Sequence, residues 1–233
     1  MTDLCTSITE AFQYLDSMGV PVPIDLYIRA KAVGAVKADL VAGDLSSINK
    51  VYHDAITSAF VDYFNGGAIA PSRNKFRQAM LNAFGDAFDL GWTDGGQELP
   101  VNDEDALSWL EARLNQEVGY IDMLFQEAKE LRKDKEFDYF AWITARADGY
   151  TNTLKEVYNN AHLRAIADEM VTFAGDDGVN SCDTCQMLQG KRHKISWFVA
   201  RNYVPPFGSG LDCSKGGHCK HGLKNDKGNW VTI

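Results

Sequence analysis

Apolar residues recur at intervals of three and four through most of the chain, and the pattern shortens only near its C-terminal end. Leu4, Ile8, Ala11, Phe12 and Leu15 fall on one helical face. Gly19-Val-Pro-Val-Pro23 then ends that helix, because proline removes an amide donor and clashes with the preceding turn. A second helix is predicted over 25–42, opening on a capping Asp25 and closing at Gly43. In the third, Leu45, Ile48, Val51, Tyr52, Ala55, Ile56, Ala59, Phe60, Tyr63 and Phe64 form one unbroken stripe, ended by Asn65-Gly66-Gly67. This is the signature of a core-facing helix. Ser72 is expected to cap the next helix, in which Phe76, Met80, Phe84 and Phe88 repeat the pattern. A phenylalanine stripe at that spacing reads as core packing rather than as a ligand pocket.

Residues 93–100 are glycine-rich around Asp94-Gly95-Gly96 but lack the spaced glycines and Lys-Ser/Thr that cradle phosphate, so they read as a connector. Asn102 is expected to cap an acidic first turn, Asp103-Glu104-Asp105, where the helix dipole favours negative charge. Leu107, Leu110, Leu114, Val118, Ile121, Leu124, Phe125, Ala128 and Leu131 carry this helix for about seven turns. Acids and bases alternate over 129–136, which reads as a solvated face rather than a nucleic-acid contact. The helical pattern resumes with Phe137, Phe140, Ile143, Ala147, Leu154, Val157 and Ala161, and Gly149 is the expected kink. His162 reads as a surface or packed histidine. Two such segments could fold back as a hairpin or continue as a rod. Met170-Val-Thr-Phe-Ala is strand-like, and Gly175-Asp-Asp-Gly178 reads as a turn rather than as paired catalytic carboxylates.

Four of the five cysteines lie within 182–221, beginning Cys182-Asp-Thr-Cys185 and ending Cys213-Ser-Lys-Gly-Gly-His218-Cys219-Lys-His221. A Cys-x-x-Cys turn places two thiolates at the separation that adjacent vertices of a tetrahedral zinc site require. Cys213 and Cys219 can supply the other two vertices. His218 or His221 can replace one of them, and spacing alone does not choose between four sulfurs and three sulfurs with one nitrogen. The stretch between the cysteine pairs has too few apolar residues to fold on burial alone, a shortage that a structural zinc offsets.

Charge sharpens this division. Residues 1–179 carry 15 Lys+Arg against 29 Asp+Glu and residues 180–233 carry 8 against 3, balances of -14 and +5 that sum to the net -9. An acidic helical body therefore precedes a basic, cysteine-bearing tail, and the body's charge repels phosphate. No apolar run approaches the roughly 18–20 residues needed to cross a bilayer, and the N-terminus lacks a basic and apolar secretory signal. The expectation is a protein made in a reducing cytoplasm, where metal-bound thiolates are favoured over disulfides and Cys5 is a bystander. The fold class expected is mainly α with a small α+β C-terminal module.

The pattern Cys182-Asp-Thr-Cys185-Gln-Met-Leu188-Gln-Gly190, followed by Pro205-Pro206 and Cys213, resembles the C-terminal domain of the phage Mu F-like head morphogenesis (minor head) proteins. Arg146 and Tyr158 could lie on the family's helix, Val171 and Phe173 in its strand, and Asp176-Asp177 in its acidic turn. Ser209-Gly-Leu-Asp212 stands where the family has His-Pro-Asn, and the last cysteine pair is stretched to Cys213-x5-Cys219. The resemblance covers about 137–223. It implies a helical domain over 1–136, a Mu F-like domain over 137–233 and a cysteine-rich module over 175–223. Composition and charge alone would place the boundary near 175.

The resemblance further implies a non-enzymatic virion component that associates with the portal or other capsid or neck proteins during head assembly. It would reside in the capsid interior or neck, with the basic tail able to touch packaged DNA and no membrane or small-molecule substrate. The alternative is a zinc-stapled nucleic-acid-binding protein that uses Lys191-Arg192-His193-Lys194, Trp197 and Arg201. An enzyme is the least supported class. No His-x-Glu accompanies the Cys-x-x-Cys, as a zinc deaminase requires, and four close ligand-type residues suit a closed structural site.

Overall fold

The computed structural model describes residues 2–18, 22–35, 44–175, 181–205, 208, 210–213 and 220–232. They form helices α1 (Thr2–Ser17), α2 (Ile24–Ala32), α3 (Leu45–Phe64), α4 (Ile69–Asp94), α5 (Glu104–Leu131), α6 (Tyr139–Thr151) and α7 (Thr153–Ala165). Then come β1 (Met170–Gly175), α8 (Asp183–Leu188), β2 (Arg192–Lys194), α9 (Ile195–Val199) and β3 (His221–Asn225). The chain is thus mainly helical with a small antiparallel sheet, and none of the described helices is long and apolar enough to cross a membrane.

Two compact units are present: Met1–Asp89 with Leu99–Leu154, and Leu90–Glu98 with Lys155–Ile233. The break therefore falls near 154, not at the expected 137 or 175. Residues 139–151 belong with the helical body because α6 lies along α3, where Trp142 meets Phe60 edge-on at 5.0 Å and Tyr139 stacks on Phe64 at 5.1 Å. By contrast, α7 contributes Leu163 to the core around β1.

The helical unit is built on aromatic contacts. Phe60 lies 4.8 Å from Phe125 and 5.7 Å from Phe76, and Tyr52 meets Phe84 edge-on at 6.2 Å. The phenylalanine stripe of α4 is core, and Phe76, Phe84 and Phe88 are fully buried. Helix starts follow the chemistry of side-chain caps. Asp44 accepts the Ser47 amide at 2.7 Å, Asp103 that of Ala106 at 2.7 Å and Asp138 that of Ala141 at 3.1 Å. Asp103, not Asn102, is therefore the cap of α5. Ser72 caps nothing, since α4 begins at Ile69 and tolerates Pro71 in its first turn, where no intrahelical donor is needed. The second helix ends at Ala32, and the expected stop at Gly43 lies outside the described residues.

After α5 the chain folds back. Glu127 accepts hydrogen bonds from the Trp142 indole at 3.1 Å and the Arg146 guanidinium at 2.9 Å, so α5 and α6 form a hairpin. The helical run breaks at Asn152, the C-cap of α6, and Gly149 lies within α6.

In the second unit the last turn of α4 crosses α7 on glycines. A Cβ on Gly91 would lie 2.3 Å from the Tyr158 carbonyl oxygen, and one on Gly95 would lie 2.4 Å from the Ala165 Cβ. The Asp94 carboxylate accepts the Tyr158 hydroxyl at 2.7 Å beside this crossing. Gly91→Ala is therefore expected to cost about 1–3 kcal/mol, since backbone must shift to admit one methyl group. Gly119→Ala, in the exposed middle of α5 with nothing within 4 Å, is expected to stabilise by about 0.5–1 kcal/mol. Thermal melts of the two variants check both signs.

The sheet has the order β2-β1-β3, with Val171 opposite His193 and Phe173 opposite Leu223. Val171, Phe173 and Leu223 form the core of this unit with Leu163, Cys185, Leu188, Ile195, Phe198, Val204 and Leu211.

Candidate metal centre

Cys182 is the N-cap of α8, and its sulfur accepts the Cys185 amide at 3.5 Å. The geometry follows from the spacing: one turn of helix between the two cysteines sets both sulfurs on one side of the turn. Cys185 is 1% exposed and belongs to the core with Leu188 and Leu211. Leu211 also anchors the segment that delivers Cys213, whose sulfur lies 3.5 Å from that of Cys185. All three sulfurs lie within 4.8 Å of one another, and none of the three is joined in a disulfide.

This trio could hold a metal ion. A tetrahedral centre with metal–sulfur bonds of about 2.3 Å separates its sulfurs by roughly 3.8 Å, inside the observed range. Burial pushes the Cys182 thiol up, but hydrogen bonds from Cys185 and Cys213 more than offset it and hold the thiol below its ordinary value. A thiol biased towards thiolate, beside two others, suits a soft cation.

The other candidate ligands divide. His218 and Cys219 lie outside the described residues. His221 is not brought into the trio. Its backbone pairs with Gly175 at the start of β3, and its ring lies on Phe173 at 5.3 Å. The register of β3 sets that position, which ligand spacing in the sequence does not reveal. Asp176 and Asp177 also fall outside the described residues.

Two further residues border the site. The Thr184 hydroxyl donates to the Asp212 carboxylate, and the Thr184 amide reaches the same oxygen at 3.3 Å. The sequence signal was available: each residue immediately precedes a cysteine, Cys185 and Cys213.

Several basic residues of the tail are engaged with neighbouring side chains. Arg192 holds Asp226 through two nitrogens at 3.1 and 2.7 Å, and Lys194 holds Asp168 at 2.8 Å. The His193 ring is stacked on Trp197 at 4.0 Å, and the Arg201 guanidinium lies over the same ring at 4.3 Å. Lys224 lies over Trp230 at 4.2 Å. These charges and rings meet one another on the exposed surface of the module.

No family model matches the chain, and no curated protein or solved structure matches it.

Proposed function

We propose that this chain is a non-enzymatic phage minor head protein of the Mu F-like kind, whose C-terminal module is stapled by a structural zinc ion. The observation that carries the reading is the trio of Cys182, Cys185 and Cys213 sulfurs within 4.8 Å of one another, backed onto the small core. Cys182 and Cys185 lie within the Cys-x-x-Cys-x-x-Leu-x-Gly stretch that resembles the family, Cys213 follows it, and the Leu of that motif, Leu188, is fully buried beside Cys185. Zinc fits because three thiolates are soft donors and a tetrahedral ion without redox chemistry needs only one more vertex. The sequence offers Cys219, His218 or His221 for that vertex, and a site with all four vertices filled is closed to substrate.

The acidic helical body is the docking part, facing the portal or another capsid or neck protein during head assembly. Any contact with packaged DNA falls to exposed Lys191, Lys220 and Lys227, because Arg192 and Lys194 are held by Asp226 and Asp168. The protein resides in the virion and has no small-molecule substrate or membrane partner.

The test is mass spectrometry of particles banded from a lysate that makes this chain. The expected result is co-banding at a low copy number per particle, resistant to a salt wash that strips adhering protein. Recovery only from the particle-free fraction would overturn the assembly reading.

A further inference from the structure

We propose that Asp212 and Thr184 are positioning residues that lock the two ligand-bearing segments of the cysteine site together, an inference that rests on the metal reading above. Cys182 and Cys185 arrive on α8, and Cys213 arrives 28 residues beyond Cys185, so the site exists only while the two segments keep their relative position. The Thr184–Asp212 contact spans the same 28 residues, one position N-terminal to each of the paired sulfurs. One carboxylate oxygen takes both the hydroxyl and the amide of Thr184, which fixes Asp212 in direction as well as in distance. A carboxylate acceptor makes such bonds stronger than a neutral acceptor would. Leu211 and Leu188 hold the segments from the core side, and this contact holds them from the solvent side.

The bonds that orient metal ligands typically matter 10–100-fold in metal affinity. The latch acts without touching the metal. It restrains the Cys213 sulfur against the Cys182 and Cys185 sulfurs, so that one thiolate detaching from the ion remains positioned to rebind. Its loss speeds metal release while leaving the ligand set unchanged.

The experiment uses the full chain loaded with zinc and transferred to a chromophoric chelator, with cobalt(II) as a spectroscopic substitute. Asp212→Ala and Thr184→Val are each expected to release zinc roughly 10–100-fold faster than the parent chain. The double variant should lose no more than Asp212→Ala alone, since that change removes both bonds and Thr184→Val only the hydroxyl's, and Thr184→Ser should keep the parent rate within about twofold. The cobalt spectrum at saturation should be unchanged, because the ligands are the same.

Release rates of both single variants within twofold of the parent would overturn the latch and leave the metal site standing. A cobalt spectrum altered by Asp212→Ala would also overturn it, by making Asp212 a ligand. A parent chain that binds no zinc would remove the metal reading itself, and this inference with it. Thr184→Val keeps the shape of threonine, so the question stays answerable even where Asp212→Ala fails to fold.

Discussion

Chelation of the full chain is expected to remove one zinc ion and unfold the second unit, while the helical body keeps its own thermal transition. Among the described residues the sheet of the second unit is backed by a cluster of ten buried side chains, one of which is Cys185 itself. Structural zinc contributes about 10–16 kcal/mol to the folding of small metal-stapled modules, far more than such a core supplies alone. Cys185→Ser should reproduce the effect of the chelator, since it removes a ligand and also places a hydroxyl at a site that is 1% exposed. Cys5→Ser should leave metal content and melting unchanged. Elemental analysis gives the stoichiometry, and near-ultraviolet circular dichroism follows Trp197 and Trp230 in the second unit. An unaltered melting profile after chelation, together with a zinc-free parent chain, would sink the zinc reading.

Lys31→Met is expected to destabilise the helical unit by about 3–5 kcal/mol, whereas Lys31→Met with Asp89→Leu should recover most of that loss. Lys31 and Asp89 are buried, with the ammonium 2.6 Å from the carboxylate and 3.2 Å from the Gly85 carbonyl. Burial raises the Asp89 carboxyl above its ordinary value, and the Lys31 charge only partly opposes this. For Asp89, leaving water thus costs more than the attraction of Lys31 returns, and stranding either charge without its partner costs more than replacing both. Tyr27, beside them, has its hydroxyl pushed well up by burial and then by Asp89 and Asp86.

The sign of the pH dependence follows from that direction. A carboxyl whose folded-state pKa is raised favours the folded state most at pH below its unfolded value, and this contribution is lost as pH rises through the folded value. Removing Lys31 raises Asp89 further. The deficit of Lys31→Met should therefore shrink on acidification from pH 7 towards the carboxyl range. Urea unfolding of parent, single and double variants at several pH values measures all three expectations, and a single variant as stable as the parent would contradict them.

How far the sequence carried can be read from particular residues. The stripe ending at Phe64 and the run from Leu107 to Leu131 were legible because helical periodicity is local and long segments repeat it many times. The strand at Met170 and the pairing of Cys182 with Cys185 were legible for the same reason, since each depends on residues a few positions apart. Helix starts were less so. Asp103 displaced Asn102 because the cap is decided by which side chain reaches an amide, and adjacent capping residues look alike in a sequence.

What periodicity could not reach were contacts across long separations. The hairpin of α5 and α6 depends on Glu127 meeting Trp142 and Arg146, and the unit boundary near 154 depends on α6 choosing α3 as its neighbour. The arrival of Cys213 beside Cys185 was a hypothesis until Leu211 and the Thr184–Asp212 contact placed it there. His221 shows the converse, a residue with ligand chemistry whose strand register lays its ring on Phe173. By itself, the sequence determined which segments are helical, where the charge divides and which residue types could ligate a metal, because these follow from local composition and spacing. Only the tertiary structure decided which of those residues meet, because that depends on burial and register between segments far apart along the chain.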